Sequence, residues 1–282
     1  MILTASLLVV GCHHHPTMRE MGIVLDTLRV THQAPIVDTT AIANDSLKLS
    51  FFNAETDSMA IPSSLQLPSC RINIELITLG NKEYSDINDS LMRSGILAPE
   101  YLSLTNLSLS PKEAVDSFIK RYETDYQTFY AGIYSLKEDT ADFSIGFTLR
   151  TEIHEGMDSV LCYTASITNQ QGAVVTQYSV CRNIDLHHGK ILHFDDLFVH
   201  GATEGLSEAI ASQLMKQSGN KTLTALRQAG FFINTDIYPT HNFLLEEDAI
   251  IFVYVPGEIC DRDKGEIKVE IPYSQLKRLM KR

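Results

Sequence analysis

The feature that most narrows the fold is a run of three long strand-like segments: FSIGFTLRTEIH (143–154), MDSVLCYTASIT (157–168) and AVVTQYSVCRNID (173–185). Apolar and polar residues alternate through much of each, the period of a strand with one buried face. The last two flank NQQG, whose glycine can take the positive φ of a tight hairpin. With Gln171 and Gly172 as a two-residue loop of type I′, Cys162 falls directly opposite Cys181. Opposed Cβ atoms lie about 4.5–5.5 Å apart, close to what a disulfide needs. The pair is therefore expected either as a bridge or as two small thiols packed as hydrophobes.

Around these strands, helices and strands come in separate blocks. That points to an α+β fold of largely antiparallel sheets with helices packed on one face. CRINIELITL (Cys70 to Leu79) alternates like a strand, and YSDINDSLMRSG gives a helix stopped by Gly95. The sharpest helix start is SPKEAVDSFIKRYETDYQTFY, where Ser110 can cap, Pro111 suits the first turn and Glu113 completes a capping box. Val115, Phe118, Ile119, Tyr122 and Phe129 share one stripe, read as core rather than as a ligand box. Downstream, TEGLSEAIASQLMKQSG is a helix buried along Leu206, Ile210 and Leu214, and NKTLTALRQAG is a shorter one. Strands AIIFVYVP and GEIKVEIP follow, and YSQLKRLMKR is expected to close the chain as a helix. The expected division is a signal at 1–11, a tether with short strands at 12–68, and two small α+β domains at 69–170 and 171–282.

The chain opens MILTASLLVVGCHHHP, an apolar run over residues 2–10 followed by Gly11 and Cys12. As a helix the run rises about 14 Å, under half of a ~30 Å hydrocarbon core, so it is read as an export signal and not a span. Val9-Val10-Gly11-Cys12 resembles a bacterial lipobox, which implies lipidation of Cys12 as the mature N-terminus. His13 to His15 are read as a polar spacer, because consecutive histidines impose no ligand geometry. Asp followed by Ser or Thr recurs at Asp26, Asp38, Asp45, Asp57, Asp89, Asp139 and Asp158. These triplets resemble O-glycosylation sites of exported Bacteroidetes proteins, and they equally fit turns and helix starts. The remaining cysteines, Cys70, Cys162, Cys181 and Cys260, show no Cys-x-x-Cys and no zinc spacing. A net charge of −12 argues against nucleic acid and suits a cationic partner.

NIDLHHGKILHFDDLF (Asn183 to Phe198) and the stretch from Asn242 to Met280 resemble an extracytoplasmic domain of unknown function, the RsiV-type domain. That domain also forms the outer part of lysozyme-sensing anti-sigma factors. Asp185, Gly189, Lys190, Asp195, Asp196, Leu197, Phe198, Asn242, Phe243, Glu258, Ile259, Ile271, Pro272 and Tyr273 match its pattern. The region from about 70 to 170 is similar to the PdaC-type N-terminal domain of peptidoglycan-deacetylase proteins, through its strand, Ile87-Asn88 and the long helix. Two positions depart from the pattern. The hairpin reads Gln171-Gly172-Ala173-Val174 without the usual histidine, and Cys260 stands where alanine is common. The resemblance implies the fold, an envelope location facing the periplasm or the cell surface, and recognition of a lysozyme-like protein or a glycan.

HFDDLFVH gathers His193, Asp195, Asp196 and His200, and the Asp-Asp pair resembles the metal motif of polysaccharide deacetylases. Those enzymes need two histidines one helical turn apart, and the chain has no His-x-x-x-His. Asp195 and Asp196 are instead expected to cap a turn, with Phe198, Pro272 and Tyr273 as structural members of the family pattern. No nucleophile elbow or phosphate loop occurs either. The expectation is a lipid-anchored binding or sensing protein of the envelope with no metal, cofactor or catalytic residue. A part in peptidoglycan deacetylation, accessory or catalytic, is the alternative. A mature chain starting at Cys12 is expected to have no cytoplasmic part to hold a sigma factor. Labelled fatty acid should enter the wild-type protein and not Cys12→Ala, which should also leave the membrane fraction; unmodified soluble wild type retaining Met1 would contradict the lipid anchor.

Overall fold

The computed structural model describes residues 17–35, 69–98, 108–134 and 144–281. Cys12, His13 to His15, tether residues 36–68 with Asp38, Asp45 and Asp57, and Asp139 lie outside them, as does the side chain of Phe129.

A six-stranded sheet has the order β1 (Leu25–Pro35), β2 (Ser69–Leu79), β3 (Ile145–Glu155), β4 (Val160–Gln171), β5 (Val174–Asp185) and β6 (Lys190–Leu192). Every neighbouring pair is antiparallel except β2 and β3. Those two are parallel because their connection carries α1 (Ser85–Leu91) and α2 (Pro111–Tyr134) back across the sheet. Within the expected tether, residues 25–35 form a full-length edge strand, with Leu28 and Val30 packed on the core. α2 begins as its sequence requires: the Ser110 N–H donates to Glu113 Oε2 at 2.9 Å, and the Glu113 N–H to Ser110 Oγ at 3.4 Å. Its stripe of Val115, Phe118, Ile119 and Tyr122 is buried in one cluster with Ile72, Ile74, Phe147 and Leu149. Each such side chain removed from water contributes about 1.5–3 kcal/mol.

Side chains complete the backbone pairing wherever strands run out. The parallel register of β2 and β3 ends at Glu75↔Arg150. Just beyond, the Ile77 N–H donates to Thr151 Oγ1 at 2.7 Å and the Tyr163 hydroxyl donates to the Ile77 carbonyl at 3.0 Å. The buried Asn88 does the same for Leu79, accepting its N–H at 3.0 Å and donating to its carbonyl at 2.8 Å.

The β4–β5 register differs from the expected one. Gln171 pairs with Val174, so the loop is Gly172-Ala173, with positive φ (58°) on the glycine. Glycine in the first loop position is the type II′ arrangement, not I′. Cys162 therefore lies opposite Asn183 and Cys181 opposite Thr164, two residues out of step on one face. Both thiols are free, so the directly opposed pair and its disulfide are corrected to separate buried thiols.

A second sheet follows, β7 (Phe243–Leu245), β8 (Ala249–Tyr254) and β9 (Ile267–Pro272), all antiparallel. Between the sheets in sequence lie α3 (Phe194–Leu197), α4 (Thr203–Ser218) and α5 (Leu223–Gln228). Ile250, Phe252 and Tyr254 face Leu206, Ile210 and Leu214 of α4, while Leu244 and Val253 face Cys162 and Cys181. The layers thus run helices, six-stranded sheet, three-stranded sheet, helix. The larger sheet continues across the expected division at residue 171 to Leu192, since a two-residue hairpin cannot part its own strands. The expected terminal helix is a single turn, α6 (Tyr273–Leu276). After it the chain turns alongside Phe198, which bridges to Met280, and the Lys281 N–H donates to the Leu197 carbonyl at 2.7 Å.

The contact that docks the second sheet is Asn183, only 1% exposed. Its Oδ1 accepts the Leu245 N–H at 2.8 Å and its Nδ2 donates to the Phe243 carbonyl at 2.9 Å, filling the outer edge of β7. Beside it, Gly156 has no room for a side chain: a Cβ would lie 2.1 Å from the Leu245 oxygen and 2.7 Å from Cys162 Sγ. Asn183→Ala strands two buried backbone groups and should lower the free energy of urea unfolding by about 2–5 kcal/mol. A loss below about 0.5 kcal/mol, the range of an ordinary surface change, would show that β7 does not depend on this amide.

Candidate binding groove

β6 covers β5 only at Asn183–Asp185, so residues 178–182 form an edge without a neighbouring strand. Side chains from the second sheet occupy part of that edge. Asn242 Oδ1 accepts the Cys181 N–H at 2.6 Å, its Nδ2 donates to the Ser179 carbonyl at 2.9 Å, and Glu266 accepts the Ser179 N–H at 2.8 Å. Alongside opens a groove of about 1000 Å³, walled by α1, by the β5–β6 turn with the start of α3, and by residues 240–243.

Three cations line it: Arg93, Arg182 and Lys190. Arg93 is paired with Asp89 at 3.0 Å and Lys190 with Asp196. Arg182 has no carboxylate partner among the described residues. Its guanidinium donates to the carbonyls of Cys181, at 2.6 Å, and Ser94. Burial lowers its pKa from the ordinary arginine value. Phe194 and His241 stack in the same wall, with centroids 5.2 Å apart and planes 16° from parallel. Asp86, exposed on α1, and the paired Asp196 are the carboxylates of the lining.

The family-pattern residues are occupied in holding turns and strand ends. Asp196 accepts the His193 N–H at 2.8 Å at the start of α3; the Lys190 ammonium, and then that N–H, keep its carboxyl below the ordinary range. Asp195 is exposed, and its carbonyl accepts from Lys281 Nζ. Burial works against ionisation of Asp185, but hydrogen bonds from His188 and His187 outweigh it and lower its pKa. Glu258 closes the turn after β8, accepting the Val255 N–H at 2.9 Å and the Tyr238 hydroxyl at 2.8 Å. Phe198 is buried, Pro272 ends β9, and the Tyr273 hydroxyl donates to the Glu246 carbonyl at 2.8 Å. Of the tempting HFDDLFVH set, His193 and Asp196 reach the groove, whereas Asp195 and His200 do not line it.

A donor cluster absent from the sequence reading lies where the sheets meet. His154 Nε2, Cys162 Sγ and a Glu246 oxygen come within 4.8 Å of one another, from β3, β4 and the β7–β8 turn. The His154 ring already pairs with Glu246 at 2.9 Å, and the Cys162 thiol donates to the Leu245 carbonyl at 3.2 Å. Burial, aided by the Glu246 charge, pushes that thiol's pKa up to about 12, so an ion taking this sulfur must first displace its proton. Cross-strand pairing of His154 with Cys162 follows from the strands, but Glu246 arrives from far along the chain. Arg182 did leave a sequence signal: alternation in VCRNID sets it on the same face as the core residue Ile184.

Residues 195–274 match the family described as Protein of unknown function (DUF3298), and the chain carries a DUF3298 domain there. A member of the DUF3298 family from Bacteroides fragilis NCTC 9343 is similar in structure, with TM-score 0.71 and 20% identity over 95% of this chain and 96% of that one. A DUF3298 family protein from Pseudomonas aeruginosa PAO1 gives TM-score 0.56 and 14% identity, over 92% of this chain and 95% of that one. At such identities the likeness is one of fold. No curated protein matches the chain.

Burial raises the pKa of Cys70, Cys162 and Cys181 to about 12 each, and that of the part-exposed Cys260 by less. Alkylation of the native protein at pH 8 should therefore reach Cys260 first, with Cys162 and Cys181 reacting as free thiols only after unfolding. A Cys162–Cys181 bridged peptide in a non-reducing digest would refute the register-based account.

Proposed function

We propose that this chain is an exported, lipid-anchored binding module of the cell envelope, and that the groove along β5 holds a glycan without chemistry of its own. The observation that supports this most is the groove itself: an open cleft with polar edges, a stacked aromatic–imidazole pair and a cation with no carboxylate partner among the described residues. Stacked rings with flanking hydrogen-bonding groups suit a sugar face. The lipobox resemblance at Cys12 and the PdaC-type resemblance of residues 69–170 support the location and the glycan. The net charge of −12 supports a second reading, capture of a cationic lysozyme-like protein over the outer surface.

Titration of the mature protein with soluble peptidoglycan fragments, chito-oligosaccharides and lysozyme separates the two. Glycan fragments should bind and should perturb Phe194 and His241. Lysozyme association, carried by screened surface charge, should fade as salt rises to ~0.15 M, where the Debye length is about 8 Å. Lysozyme binding that persists while every saccharide fails would favour the protein partner. Release of acetate from the oligosaccharides would favour the deacetylation alternative.

A further inference from the structure

We propose that Arg182 is a carboxylate-binding residue and that the ligand of the groove is a saccharide bearing a carboxylate. The inference rests on the groove being the ligand site. A guanidinium withdrawn from water is stabilised by an anion held in the plane of its fork. Arg93 and Lys190, the other cations of the lining, already have Asp89 and Asp196. Among the described residues Arg182 has two carbonyls, those of Cys181 and Ser94. These commit two of its N–H groups and fix the plane, leaving the remaining donors for a ligand.

Competing anions in the wall do not meet this demand. Asp196 is taken by Lys190 and by the His193 N–H, and Asp86 is an exposed residue of α1 with no bond to Arg182. Arg182 also sits on a strand, opposite Tyr163, so its backbone is held by the sheet and not by a mobile loop. The Phe194–His241 stack shares the groove and offers a ring face to a pyranose, while Asn242 and Ser179 border it with polar groups. The lactyl ether of N-acetylmuramic acid is the common envelope group that joins a pyranose to a carboxylate, and the C-terminus of a wall peptide is the other source of the same chemistry.

The test is calorimetric titration of the mature protein with three probes. These are the N-acetylglucosamine–N-acetylmuramic acid disaccharide, the same disaccharide with its carboxyl reduced to the alcohol, and N-acetyl-D-alanyl-D-alanine. Wild type should prefer the carboxylated disaccharide over the reduced one by about 10- to 100-fold, the worth of a charge-assisted hydrogen-bond pair. Arg182→Met should erase that preference yet still bind the reduced disaccharide, and Arg182→Lys, which keeps the charge and loses the fork, should restore only part of it. Urea midpoints of both variants confirm that they fold. Equal binding of the two disaccharides, or a preference that survives Arg182→Met, overturns the carboxylate assignment while leaving the groove as a glycan site. Arg182-dependent binding of the peptide alone overturns the saccharide assignment. Failure of all three probes overturns the groove reading and this inference together.

Discussion

The primary amide of Asn183 is the contact on which the two-sheet arrangement depends. β7 is the edge strand of a small sheet, and an edge strand leaves N–H and C=O groups that must find partners once buried. Asn183 supplies an acceptor for Leu245 and a donor for Phe243 from a position inside β5. Its counterpart, Asn242, reaches in the opposite direction to Cys181 and Ser179 on the open edge of β5, and donates to the Val253 carbonyl at 3.0 Å as well. Each sheet therefore completes the other's hydrogen bonding. Apolar contact at this interface comes from Cys162, Cys181, Leu244 and Val253, with Val160 of β4 reaching into the cluster of the second sheet, and the amides add directional bonds to it.

The groove is a consequence of the same geometry. Had β6 continued along β5, a strand would lie where the groove opens and Arg182 would lose its access. Instead β6 stops after three residues, because α3 starts at Phe194, with Asp196 accepting the His193 N–H, and turns the chain away. Asn242 and Glu266 satisfy the exposed edge without filling the space beside it. Asp185 and Asp196, two carboxylates of the family pattern, are committed to turns beside this groove.

Much of the fold was legible in the sequence because its signals are local. The capping box at Ser110 and Glu113, the α4 stripe and the alternation of β2 to β4 all depend on near neighbours, and the structure has each. The hairpin register needed one further fact, which loop residue takes positive φ, and the glycine occupies the first place instead of the second. At the end of the chain, the helical spacing of Leu276 and Met280 equally fits a single turn followed by a bridge to Phe198. Asparagines that complete strand edges, and the meeting of His154 and Cys162 with Glu246, join residues tens of positions apart and leave no periodic trace.

The amide bridges make the two sheets one cooperative body, a property that native-state hydrogen exchange reads out. The Leu245 and Cys181 amides, whose acceptors are the Asn183 and Asn242 side chains, should exchange only through global unfolding, with the same free energy as amides inside β4 such as that of Tyr163. Amides of β7 to β9 opening together at a distinctly lower free energy, while β2 to β5 stay protected, would show two independently stable sheets and contradict the account.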